Sequence, residues 1–428
     1  MTKKTISKKD TLAFAALAVA GAWVIIQVLL MIIAWDHPQS PDAVEYTSRA
    51  LFAYDHHVLY PSVHNLYDRF THAPGVVNFF LCLYMLFGTF KSIMIVNLLM
   101  NIAILYEVYY IAKFFFSRKV GYIAVILYSA IISFWFVPLH YLSDHPSYFL
   151  FITGFCLSLQ RKWYWVVLAG VCYALSYTIR PTVLAYLVSS VIYMVVSRRH
   201  FRYYLYLLIP YFGILYGIGK YFEREIGIYT NTSHIAGYGM MHSANEKTWA
   251  GPDMSFSGDP NNSGYIENAS SLTFAEKDSI WKSRAVKWVM QNPGRYIMLA
   301  PQRFFRSFTL DYWSLQDVFE ANQYENAINS PHPEKALRAL RMKQFLVSIP
   351  YYLMLVLFGI SLYIGRKSLF TKQGLVLLIT LFYTGTTFFF VAEHRGHYAF
   401  LFPMIIWAAY GISRMIKSPP AACAASRD

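Results

Sequence analysis

Between residues 35 and 91, carboxylates, imidazoles and tyrosines crowd together in a chain that is otherwise largely apolar. The stretch reads Trp35-Asp36-His37-Pro38, Asp42-Ala43-Val44-Glu45-Tyr46, Asp55-His56-His57, Tyr60-Pro61 and His72-Ala73-Pro74-Gly75, and it ends at Lys91. Asp42 follows the apolar run Leu12 to Ala34 by eight residues. A carboxylate so placed lies near a bilayer surface, where it can meet a lipid-borne and a water-borne reactant. Its simplest task is that of a general base, taking a proton from a hydroxyl as the oxygen attacks. Asp144, in Ser143-Asp144-His145-Pro146, is the second candidate catalytic carboxylate. Lys91, Arg180 and Arg395 supply positive charge for a departing phosphate. Glu45, Tyr46, His72 and His397 complete the candidate substrate-binding set. No cofactor is required. A divalent ion held by Asp144 and His145 is the alternative, whereas adjacent histidines such as His56-His57 rarely aim at one ion. Each residue also has an ordinary structural role: a helix start for Asp144, a snorkelling lysine for Lys91, and interfacial anchors for Arg395 and His397.

The elements that must position these groups are membrane helices. Of 428 residues, 56% are hydrophobic and only 14% charged, against roughly a quarter charged in soluble chains. With a mean hydropathy of +0.36, this indicates an all-α polytopic membrane protein. The net charge of +14 does not point to nucleic acid, because the basic residues cluster in short turns between apolar runs. Cys82, Cys156 and Cys172 lie in apolar runs and Cys423 in the tail, so no disulfide framework is implied.

About ten spans are expected, at 12–34, 92–112, 120–139, 147–160, 163–179, 182–197, 203–222, 345–365, 373–391 and 398–416. The first is read as an uncleaved signal anchor, since it is too long for a signal-peptide core. Lys113/Arg118/Lys119, Arg161/Lys162, Arg198/Arg199/Arg202 and Arg366/Lys367/Lys372 all fall on one side. The positive-inside rule makes that side cytoplasmic, with both termini. Val76 to Phe87 is too short to span and reads as an interfacial or re-entrant helix. The expected division is a membrane module 1–222 carrying the outer loop 35–91, an extracytoplasmic domain 223–344, and C-terminal helices and tail 345–428. Within the outer domain, Tyr229 to Ser271 reads as irregular loop. Thr273-Phe274-Ala275-Glu276 is a capping box that opens a helix, and Asn292-Pro293-Gly294 stops it. Arg295 to Phe308 reads as an amphipathic helix on the membrane surface. Glu107 and Lys220 are expected near helix ends. Asn231, Asn261 and Asn268 begin sequons, which a polar loop also produces by chance.

In order and topology these motifs resemble those of GT-C membrane glycosyltransferases, and among them glycosyltransferase family 39, the protein O-mannosyltransferases and aminoarabinose transferases. Asp42 with Tyr46 and Ala50 is similar to that family's Asp-containing first loop, and His72-Ala73-Pro74-Gly75 to its His-Pro-Pro-Leu stretch. Ser143 to Pro146 is similar to the acidic second-loop motif, Thr273 to Phe308 to the region after the seventh span, and Glu393 to Pro403 to the C-terminal Arg/Tyr/Pro motif. The sequence departs in two places. Ala43 stands where many members have Glu, and Val77 and Asn78 stand near the place of an expected Lys. The resemblance implies a GT-C-like fold and a polyprenyl-phosphate-linked hexosyl or pentosyl donor. It also implies inversion with Asp42 as base, and an acceptor hydroxyl on a glycan, lipid or protein at the outer face of the plasma (inner) membrane. The rival readings are a transporter or flippase for a lipid-linked saccharide, which commonly shows repeats and midplane polar sites, and an oligosaccharide polymerase or ligase.

Overall fold

Long apolar helices, broken where proline, glycine or a buried polar contact demands it, make up the chain. The computed structural model describes residues 8–64, 72–249, 251, 253, 255–319, 323–389 and 397–416. The N-terminal half comprises α1 (Lys8–Ile33), α2 (Pro41–Asp55), α3 (Pro74–Phe87), α4 (Ser92–Phe115), α5 (Arg118–Ala130), the single turn α6 (Ser133–Phe136), α7 (Asp144–Ser158), α8 (Trp163–Ile179), α9 (Leu184–Val196) and α10 (Arg202–Ile226). The outer segment carries α11 (Ala236–Ser243), α12 (Phe274–Gln291), α13 (Pro293–Ser307), α14 (Trp313–Phe319) and α15 (Gln323–Ile328). The chain closes with α16 (Pro333–Val347), α17 (Ile349–Ile364), α18 (Lys372–Gly385) and α19 (Tyr398–Met415). Among the described residues there is no strand.

α1, α4 and α10 are each long and apolar enough to cross a membrane. The expected span 120–139 is bent by 75° between α5 and the Ser133–Leu139 segment, and the expected span 345–365 by 49° between α16 and α17. Both breaks lie against one residue, Asp311, through its side chain at the first and its backbone amide at the second. Ser133 Oγ donates to the Asp311 carboxylate, and the Asp311 amide donates to Ser348 Oγ at 3.1 Å, at the second break. A polar group buried in an apolar core must be hydrogen-bonded, and bending the two helices lets both serines reach Asp311.

α2 buries Ala43, Tyr46, Ala50 and Ala53 along one face. Three of these are alanines, so its backbone lies close to α3. α3 ends at Gly88, whose φ of +69° closes the helix with its amide on Tyr84 O at 2.8 Å, the left-handed cap that glycine adopts without strain. Gly75, in the first turn of α3, sits against α8. A Cβ there would lie 2.4 Å from Thr178 Oγ1 and 2.6 Å from the Thr178 backbone carbon.

A smaller second core forms in the outer segment around Met241, Phe256, Trp281, Ala285, Trp288 and Leu299. Trp313 and Val318 of α14 belong instead to the main core. The Thr273/Glu276 capping box is present. Residues 229–271 are less irregular than their composition suggests, since they contain α11. Its first amides, on Gly237 and Tyr238, are capped at 3.1 and 2.7 Å by Asp278 of α12. A cap forty residues away leaves no local signature. Arg303 of α13 is turned inward rather than toward a membrane surface. It is 1% exposed and donates to the carbonyls of Ser243 and, at 2.7 Å, Phe389.

Candidate active site

The site forms where three helix ends meet. Pro41 and Asp42 occupy the first turn of α2, and Pro at the first helical position is pre-set for it. Ser143 and Asp144 occupy the start of α7, with the carboxylate favoured by the helix dipole. Arg180 caps α8 in extended conformation because Pro181 forbids another helical turn.

Arg180 ties these ends together. Its Nε donates to Ser143 Oγ at 2.9 Å, and its Nη2 lies 3.0 Å from Asp144 Oδ2. Asp144 is 10% exposed and Arg180 31%, so the pair opens to one side. Burial pushes the Tyr46 phenol up from its ordinary value. The Arg180 guanidinium and the Ser143 hydroxyl pull it down, while the Asp42 and Asp144 carboxylates push it up again. Both acids and the guanidinium therefore act on one hydroxyl, which stays protonated at neutral pH. The Tyr46 ring meets the His72 ring edge-on at 5.0 Å, and His72 Nε2 donates to the Glu45 carboxylate.

Asp42, Glu45, Tyr46, His72, Asp144 and Arg180 thus share one neighbourhood. Lys91 and His397 stand apart from it. Lys91 pairs with Asp36 and lies 5.3 Å above the Trp35 ring. His397 is fully buried against Asp311, its Nε2 3.1 Å from Oδ1. Arg395 lies outside the described residues. His145 does not turn toward Asp144: its Nε2 donates to Asn97 O at 2.9 Å and its Nδ1 accepts from the Tyr398 hydroxyl at 3.2 Å. Among the described residues, no three His, Cys, Asp or Glu side chains gather as a metal set.

Ser143 and Asp311 were the residues least marked in the sequence. Ser143 reads as a helix start, and Asp311 is a lone acid in an aromatic run. Glu107 sits two turns inside α4 rather than near a helix end, accepting from Thr153 Oγ1 at 2.7 Å. Lys220 is near the end of α10, paired with Glu223.

Beside the site runs an apolar groove of about 620 Å³, lined by residues of α3, α7, α8 and α10. Pro74, Pro146 and Ile179 are among its walls, each one or two residues along the chain from His72, Asp144 or Arg180.

No family model matches the sequence, and no curated protein matches it. Solved structures do resemble it. The apo crystal structure of the oligosaccharyltransferase of Archaeoglobus fulgidus superposes with a TM-score of 0.50 at 12% identity, over 93% of this chain and 50% of that one. The same enzyme in complex with Zn and sulfate gives a TM-score of 0.50 at 12% identity, over 93% and 49%. This chain spans about half the length of the structures it matches. The likeness is one of fold, and with the apolar helices it defines an all-α membrane protein of GT-C-like fold.

Proposed function

We propose that this protein is a membrane glycosyltransferase that moves a sugar from a polyprenyl-phosphate donor to an acceptor hydroxyl on the outer face, with inversion. The observation that carries the reading is the meeting of Asp42, Tyr46, Asp144 and Arg180 beside an apolar groove. The groove suits a polyprenyl tail. Arg180 suits the phosphate, where negative charge grows as the anomeric bond breaks. Asp42 takes the proton from the acceptor oxygen as it forms the new bond to the anomeric carbon, and the donor leaves as polyprenyl phosphate. Phosphate leaves readily, so no separate general acid is needed, in contrast to glycoside hydrolysis. Tyr46 and Ser143 orient the Arg180–Asp144 pair. The order of motifs favours a family-39-like enzyme, and the fold shared with an oligosaccharyltransferase supports glycosyl transfer as the class.

Asp42→Asn should lower turnover by about 10²–10⁴, the usual value of a general base, with donor binding and melting temperature unchanged. Wild-type turnover by the purified variant in detergent would remove Asp42 from the mechanism. A transporter needs a sealed membrane to act, so transfer in detergent also separates the two classes. The proposed orientation puts the basic turns in the cytoplasm and the site outside. A cysteine introduced at Asn261 should react with an impermeant maleimide in intact cells and one at Ser117 should not; the reverse pattern would refute the orientation.

A further inference from the structure

A second cavity, of about 380 Å³, lies at the far end of α2. Its walls come from the end of α2 and the turn after it (Tyr54, His57, Val58, Ser62), from α3 (Leu81, Met85), and from the last turns of α10 (Tyr221, Glu225). Leu59 and Tyr221 line both this cavity and the apolar groove, so the two share a wall. The shared wall is fixed. Asn78 of α3 accepts from the Tyr60 amide at 2.9 Å and donates to the Tyr60 carbonyl at 2.6 Å. Tyr54 is held edge-on against Tyr84 at 5.0 Å. His57 is kept in the left-handed region, at φ +55°, where a side chain other than glycine is uncommon.

The chemistry of these walls differs from that of the groove. Its lining mixes apolar residues such as Val58, Leu81 and Met85 with Tyr54, Tyr221, Ser62, His57 and Glu225, and among the described lining residues there is no lysine or arginine. Such a cavity does not suit a phosphate. It suits hydroxyl groups, which donate to a carboxylate, and the apolar faces of sugar rings, which pack on aromatic rings. Along α2 it lies roughly 16–22 Å from Asp42, at 1.5 Å per residue, a distance several sugar units long.

We propose that this cavity is an anchoring subsite for the acceptor, holding a sugar of an oligosaccharide on an apolar carrier some units away from the hydroxyl that reacts. The proposal rests on the glycosyl-transfer reading and adds to it that the acceptor is a glycolipid rather than a peptide.

The test reads binding without turnover. The full chain in lipid nanodiscs is photolabelled with diazirine-bearing octyl trisaccharides of glucose, galactose, mannose and N-acetylglucosamine, and the labelled peptides are mapped by mass spectrometry. At least one should label peptides containing residues 53–63 and 221–225, with competition by its unlabelled octyl glycoside and not by octyl phosphate. Glu225→Gln should weaken that labelling about fivefold, the value of one net hydrogen bond, and Tyr221→Ala more, both with unchanged melting temperature. Absence of labelling at these peptides with all four sugars would overturn the proposal. So would displacement by octyl trimethylammonium but not by the glycoside, which would make this a cation site. If Asp42→Asn abolishes transfer while no label forms here, the subsite alone fails. If the label forms and Asp42→Asn stays active, the catalytic reading fails and the binding site stands.

Discussion

Arg180 holds two partners at once because its guanidinium is a planar fork. Nε reaches Ser143 and Nη2 reaches Asp144, and a lysine ammonium at the same place is a point donor that serves one of them. Arg180→Lys therefore keeps the charge but loses the geometry. We expect kcat/KM for transfer to fall about tenfold or more, the value of a hydrogen bond to a charged group, with most of the loss in kcat if the guanidinium acts on the leaving phosphate. Unchanged kinetics would assign Arg180 a purely structural role. His145 makes the converse point. Its type and position suit a metal ligand, yet both ring nitrogens are engaged by groups on α4 and α19.

At the scale of elements, the site depends on how closely α3 approaches α8. Gly75 lies so near Thr178, two residues before Arg180, that even a methyl group would overlap backbone. Gly75→Ala should push the start of α3 away, cost about 1–3 kcal/mol as overpacked cores do, and lower the melting temperature in detergent. Transfer should fall with it, because His72 and Arg180 flank that contact. An unaltered melting temperature would mean that α3 can shift freely. α3 itself was legible as a short apolar helix closed by Gly88. α11 in the outer segment was not legible, because its cap is supplied by Asp278 from another helix.

Over the whole molecule, Asp311 joins parts that are distant in sequence. It links the outer segment to Ser133 at the α5/α6 bend, to Ser348 at the α16/α17 bend and to His397 at the start of α19. Removing one partner of a buried hydrogen bond leaves the other unsatisfied and typically costs about 1–3 kcal/mol. Asp311→Ala and His397→Ala should each lower the melting temperature by a large step, and the double variant by less than their sum, since neighbours in one network are not additive. Strict additivity would show that the two side chains do not interact.

The sequence alone pointed to the all-helical class and to several helix limits, among them Gly88, the Thr273/Glu276 cap and the Asn292-Pro293 stop. These are written in local terms: runs of apolar length, a local cap, and Pro and Gly punctuation. Only the tertiary structure decided that Lys91 answers to Asp36 and His397 to Asp311, that two expected spans bend, and that Arg303 points inward. A buried polar group must find its partner wherever the chain brings one, and hydrophobic periodicity says nothing about which partner that is.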